Sequence, residues 1–190
     1  MVQFHTSHVK SFLDKSYETK KSSRPPTGYK KDTNLSGKRV QVYSNNEGKS
    51  VVVHRGTAGF KDIITDMKFS LNKKAFKSSD RYQHSKRIQE EAHKKYGKHN
   101  TTTMGHSLGG ALAENVGRKS DKVITVNKAA SLSPYSKKIP KNQVDIYSKK
   151  DLVSKLSHHH GGKKVVIEAK TRNPLTEHKV NILDRVSKVV

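Results

Sequence analysis

The segment Gly105-His106-Ser107-Leu108-Gly109-Gly110 constrains this chain more than any other. It stands between Thr101–Met104, which reads as a strand, and Leu108–Val116, which reads as a helix. A G-x-S-x-G sequence in that setting demands so sharp a turn from strand to helix that the serine takes a strained backbone conformation. Gly105 and Gly109 remove the β-carbons that would collide in such a turn. Gly110, Ala111 and Ala113 are small enough for the helix to lie close against a sheet. The turn exposes the Ser107 hydroxyl at the carboxyl edge of the sheet. It also aims the N–H of Leu108, at a helix N-terminus, towards an oxygen that gains negative charge there.

The rest of the pattern supplies the sheet. Val40 and Val42, then Ser44-Asn45-Asn46-Glu47-Gly48, then Val51-Val52-Val53 predict a β-hairpin whose second strand is wholly apolar, as in a buried central strand. Further strands are expected at Val123–Val126, Val144–Tyr147 and Val165–Ile167. Ser79 to Gly97 predicts a helix with Tyr82, Ile88, Ala92 and Tyr96 on its inner face and Gly97 as its stop. A weaker stripe, Phe4, His8, Val9, Phe12 and Leu13, predicts a first helix. Val180, Ile182, Leu183 and Val186 predict a last one. Strands alternating with helices imply an α/β fold with a mostly parallel central sheet flanked by helices, in one small domain. The basic, turn-rich stretch Lys20–Lys38, with Pro25-Pro26, reads as an arm. The expected organisation is thus a basic N-terminal helix and arm over residues 1–37 and a main domain over residues 38–190.

Composition excludes several functions. The chain has no cysteine, hence no disulfide framework, thiolate nucleophile or cysteine-based zinc site. Its apolar runs are only a few residues long, whereas a membrane-spanning helix needs about 20. The N-terminus shows no signal-peptide pattern, and an intracellular or virion-associated protein is expected. His158-His159-His160 has no carboxylate at ligand spacing, so no metal is expected.

A nucleophilic serine needs a base and a group to orient it. The acids after Ser107 are Glu114, Asp121, Asp145, Asp151, Glu168, Glu177 and Asp184. Asp151 follows the strand Val144–Tyr147, and a carboxylate just past a strand's carboxyl end is well placed for that role. The same position also suits a helix cap. Asp145 sits within the strand and suits the role less. Among the later histidines, His178 follows Asn173-Pro174-Leu175-Thr176 near the start of the final helix, where an imidazole can swing over the sheet edge. One of His158, His159 and His160 is the alternative.

Several ordered motifs resemble the class 3, fungal-lipase-like branch of the α/β hydrolases, over about residues 38–182. His54-Arg55-Gly56-Thr57 is similar to that family's strand ending in Arg-Gly-Thr or Arg-Gly-Ser. Lys61-Asp62-Ile63-Ile64-Thr65-Asp66 resembles its D-W-x-x-D segment, with Ile63 where tryptophan is common. Residues 105–110 match its usual elbow, and Asp151-Leu152-Val153-Ser154-Lys155-Leu156 resembles its D-x-V-x-x-L segment. His159-His160-Gly161 resembles an upstream His-x-Gly feature, which leaves the later His178 for the base.

The resemblance implies a lipase or phospholipase working through Ser107, Asp151 and His178 without a cofactor. It implies an oxyanion hole from Thr57 and Leu108, and a structural role for Arg55. It also implies a lid at residues 58–69 carrying Phe60, Ile63, Ile64 and Met67. The same stripe equally fits a fixed core helix. Thioester, amide or acyl-transfer chemistry on the same fold is the alternative, as is a non-catalytic basic binding module.

Charge bears on partners. Lys and Arg number 39 against 16 acids, a net charge of +23. That favours polyanions. The basic residues are scattered, mostly lysine, and accompanied by no nucleic-acid-binding signature. An anionic membrane surface is therefore the expected partner beside the ester substrate, with non-specific nucleic-acid binding or plain solubility as the alternatives.

Overall fold

The computed structural model describes residues 3–18, 26, 28–57, 73–129, 141–155 and 162–190. Seven strands form one sheet in simple sequence order: β1 (Lys30–Lys31), β2 (Val40–Ser44), β3 (Ser50–His54), β4 (Thr101–His106), β5 (Lys122–Val126), β6 (Gln143–Ser148) and β7 (Lys163–Ile167). The β1–β2 and β2–β3 pairs are antiparallel, and β3 to β7 are parallel throughout. Every residue of β3, β4 and β5 is buried, as expected for strands covered on both faces. The expected hairpin is present: Val42 faces Val52, and Asn45 closes the turn by accepting the N–H groups of Glu47 and Lys49.

Sequential parallel strands joined by right-handed crossovers place their connecting helices on one face of a sheet. Two such helices are α3 (Asp80–Tyr96) and α4 (Leu108–Val116). Ile88 and Ala92 of α3 pack on Val40, Val42 and Val52. In α4, Leu108, Ala111 and Leu112 pack with Phe76 of the short α2 (Lys73–Ser78) and with Val153 of α5 (Leu152–Lys155). α3 has the expected limits, with the Ser79 hydroxyl accepting the N–H of Tyr82 and Gly97 ending the helix at φ +85°.

Among the described residues, the chain ends cover the other face. α1 (Thr6–Tyr17) lays Val9, Phe12 and Leu13 onto Val51, Val53, Met104, Ile124 and Ile146. The C-terminal residues Val180, Ile182 and Leu183 complete that layer. The two ends are tied together: Phe4 and Val190 exchange backbone hydrogen bonds, and the Thr6 hydroxyl donates to the Val186 carbonyl. Residues 1–37 were expected to form a helix and arm outside the main domain. In the structure α1 belongs to the same core, and β1, within the expected arm, is an edge strand of the same sheet.

One element differs in kind. After α6 (Pro174–His178), residues Val180–Arg185 form a 3-10 helix rather than the expected α-helix. Val180, Leu183 and Val186 lie three residues apart, which fits a three-residue turn better than a 3.6-residue one. Residues 58–69, with Phe60, Ile63, Ile64 and Met67, and the histidine triplet lie outside the described residues. Among the described residues no helix is long and apolar enough to cross a membrane.

Candidate functional site

The end of β4 leads straight into α4, and Ser107 is the residue between them. Its backbone sits at φ +56° and ψ −127°, a region that L-residues avoid at a cost of about 1–3 kcal/mol. Hydrogen bonds from three directions hold it there. Its N–H donates to Val126 at 3.0 Å, and its carbonyl accepts from Gly110 at 2.9 Å and from Ala129 at 3.0 Å. Gly105 permits the turn, because a β-carbon there would overlap the Gly109 carbonyl and lie 2.7 Å from the Gly110 nitrogen. Gly109 likewise lets the Arg55–Gly56 backbone pass overhead, where a β-carbon would come within 2.8 Å of it.

His178 is the last residue of α6, rather than near the start of a long final helix. Its Nε2 lies 2.9 Å from Ser107 Oγ, and its Nδ1 lies 2.8 Å from Asp151 Oδ1. A carboxylate only accepts, so Nδ1 carries the hydrogen and Nε2 is free to take one from the serine hydroxyl. All three residues are buried, so Ser107 stands at the carboxyl edge of the sheet without the exposure expected of it. Asp151 also caps α5: Oδ1 accepts the N–H of Val153 at 3.2 Å, and Oδ2 accepts the N–H of Ser154 at 2.9 Å and its hydroxyl. The two readings of Asp151, orienting acid and helix cap, are therefore compatible in one side chain. Asp145, the other strand-associated acid, faces Lys128 instead, at 2.8 Å.

Leu108 is the first residue of α4, so its N–H has no acceptor inside the helix and faces the elbow. The Arg55–Thr57 loop reaches the same place. A β-carbon on Gly56 would lie 2.5 Å from the His106 carbonyl and 3.3 Å from Ser107 Cβ, and Thr57 is its neighbour. The Arg55 carbonyl accepts from the Arg81 guanidinium at 2.6 Å, while its own guanidinium lies 5.5 Å above the Tyr17 ring.

Further polar residues surround Glu177 and His178, among them Asn127 and Arg185, which the sequence did not single out. Asn127, at φ +42°, donates from Nδ2 to the Glu177 carbonyl at 2.9 Å and accepts the N–H of Ser148 at 3.1 Å. The Glu177 carboxylate is buried, which alone would raise its pKa. Arg185 at 2.6 Å, the Ser148 hydroxyl and the N–H of Thr171 outweigh that and hold it down at about 2. His106, the variable residue of the elbow, donates from Nε2 to the His178 carbonyl at 2.6 Å. Beneath α4, Lys128 is fully buried between Glu114 and Asp145. Burial pushes its pKa down, but the two carboxylates outweigh this and raise it, so the group stays charged.

A cleft of about 510 Å³ is walled by Lys86, Lys94, Lys98, Arg118, Lys119 and His93. It runs along α3 and just past its end, from Tyr82 to Lys98, and faces the carboxyl-terminal end of α4 at Asn115 and Val116. Among the described residues no cluster of His, Asp and Glu fits a metal ion.

Residues 14–154 match the model of a phospholipase-like family, the Tle-like phospholipase domain. The match spans the elbow and Asp151 and stops short of His178. Solved structures with a similar course of the chain include a predicted CIB-like hydrolase from Thermoplasma acidophilum. It is 14% identical, with a TM-score of 0.48, covering 80% of this chain and 92% of that one. A proposed esterase from Staphylococcus aureus is 12% identical, with a TM-score of 0.46, covering 84% and 82%. No curated protein matches.

Proposed function

Because the chain belongs to the Tle-like phospholipase domain family, we propose that it hydrolyses lipid esters through an acyl-enzyme on Ser107. The observation that carries this is the unbroken line Ser107–His178–Asp151, with separations of 2.9 and 2.8 Å, at a serine held at positive φ. Ser107 attacks the acyl carbonyl while His178 takes its proton and passes it to the leaving alcohol. Asp151 keeps the imidazole in the required tautomer and stabilises the imidazolium. Water then attacks the acyl-enzyme by the same route in reverse.

The oxyanion is stabilised by the N–H of Leu108 and by Thr57, each such donor contributing about 3–4 kcal/mol. The order of the Arg-Gly-Thr, elbow and Asp151 motifs supports a fungal-lipase-like arrangement of these parts. The substrate is a phospholipid or a neutral glyceride, presented at an anionic surface.

The test is covalent labelling by a fluorophosphonate, followed by product analysis with phospholipid and triglyceride vesicles. Wild type is labelled and releases fatty acid, whereas Ser107→Ala does neither and keeps its fold. A folded wild type that is never labelled overturns the reading.

A further inference from the structure

The G-x-S-x-G pattern leaves its second position open to any residue, yet here that position holds a buried imidazole with both nitrogens engaged. The His178 carbonyl only accepts, so His106 Nε2 is the donor in the 2.6 Å bond to it. His106 Nδ1 is then bare, and the Tyr17 hydroxyl donates to it at 2.8 Å. The same hydroxyl lies against Gly56, whose backbone hydrogen-bonds to it. Gly56 precedes Thr57 in the loop that crosses the elbow. One chain of contacts therefore runs from the Arg55–Thr57 loop through α1 and the elbow to the backbone of His178.

We infer that Tyr17 and His106 are positioning residues: the pair fixes the His178 backbone against the elbow and so keeps its ring in register between Ser107 and Asp151. The inference rests on the reading of Ser107, His178 and Asp151 given above. His178 ends a five-residue helix, where the last carbonyls have no partner within the helix. An apolar residue in place of His106 could fill the space but would leave that buried carbonyl unsatisfied and the base free to shift. A displacement of about 1 Å at such a site costs on the order of 100-fold in rate.

The link also suits the charge changes of the reaction. The His106 and His178 rings lie 4.9 Å apart. Burial first, and the neighbouring His178 second, push the His106 pKa down to about 3, so it stays neutral beside the imidazolium that forms. Burial pushes the Tyr17 pKa up to about 12, so its proton stays on the hydroxyl that donates.

The experiment compares wild type, Tyr17→Phe, His106→Gln and His106→Leu in the full chain. It measures fluorophosphonate labelling rate, kcat and KM on a soluble short-chain ester, and thermal midpoint. His106→Leu lowers kcat and the labelling rate by about 10–100-fold with KM within about twofold. His106→Gln can place an amide N–H near the Nε2 position, and it recovers most of the loss. Tyr17→Phe lowers kcat by about 3–10-fold at little change in midpoint.

A folded His106→Leu with wild-type kcat overturns the inference, as does a His106→Gln no better than His106→Leu. Should His106→Leu fail to fold, a folded Tyr17→Phe with wild-type kcat and labelling rate overturns it alone. If wild type itself is never labelled, the serine-hydrolase reading falls first. If wild type is labelled and the variants match it, only the positioning role falls.

Discussion

A β-carbon on Gly105 would overlap the carbonyl oxygen of Gly109, four residues on and in the first turn of α4. Neither atom can move away, because both belong to the backbone that Ser107 holds at positive φ. Gly105→Ala is therefore expected to destabilise the protein by about 3 kcal/mol or more, the upper end for overpacking, and to abolish labelling of Ser107. Gly37→Ala is the control: its β-carbon meets nothing within 4 Å, and its effect stays within about 1 kcal/mol in either direction. Urea denaturation of both variants measures the contrast.

In the proposed mechanism Asp151 has two tasks, capping α5 and orienting His178, which one substitution separates. Asparagine caps a helix about as well as aspartate, so Asp151→Asn keeps α5 and the fold. It cannot hold His178 in the tautomer with hydrogen on Nδ1 or stabilise an imidazolium. The expected loss in kcat is about 10³–10⁴-fold at near-wild-type thermal midpoint. Loss of the fold instead would make Asp151 chiefly a structural residue.

The sheet was legible because its strands are apolar runs and its helices carry 3.6-residue stripes: β3, α3 and α4 lie where Val51–Val53, Tyr82–Tyr96 and Leu108–Val116 place them. The line from Ser107 to Asp151 and His178 was legible from chain order and from Asp151 standing past a strand. Other features left little local trace. β1 is two exposed lysines on an edge, with no alternation to read. Tyr17 meets His106 across 89 residues, and only the need to cover the second sheet face brings α1 there. Asn127 and Lys128 carry no local sequence signal, because their partners Glu177, Glu114 and Asp145 come from other elements.

Lys128 is the only cation touching two buried carboxylates among the ion pairs of the described residues. Lys128→Met removes the ammonium that both the Glu114 and Asp145 carboxylates contact. The expected cost is about 3–5 kcal/mol at pH 7. Adding Glu114→Gln and Asp145→Asn recovers part of it, because two buried negative charges go with them. Its raised pKa means the lysine's own contribution is full below its unfolded value of 10.5 and fades only as pH rises through the higher folded value. Denaturation at pH 7 and pH 9 should accordingly give the same difference between wild type and Lys128→Met.

The +23 charge predicts how the enzyme meets its substrate. Hydrolysis of mixed vesicles should rise with anionic lipid content and fall between about 50 and 500 mM salt, as screening shortens the reach of the lysines. A soluble ester should show neither dependence. Equal turnover on neutral and anionic vesicles would separate the charge from substrate encounter. Lys98 and Lys119 stand just before β4 and β5, at the sheet edge opposite Ser107, so reversing their charge, Lys98→Glu with Lys119→Glu, should leave soluble-ester turnover intact.

Glu177 couples stability to acid. Its folded pKa, about 2, lies below the unfolded value of 4.5, so the carboxylate binds protons less readily in the folded state. Its stabilisation is therefore fully present above about pH 4.5 and is lost as pH falls from there towards 2. Glu177→Gln removes the charge that faces Arg185 and weakens the cradle of Ser148, Lys170 and Thr171 around it. At pH 7 the variant should be less stable by about 3 kcal/mol, the lower end for breaking a buried pair. Below pH 4.5 the gap should close steadily, because the wild-type carboxyl becomes neutral as well. Thermal midpoints of both proteins from pH 7 to pH 3 test this, and a gap that stays constant across that range would place the stabilisation elsewhere than in the Glu177 charge.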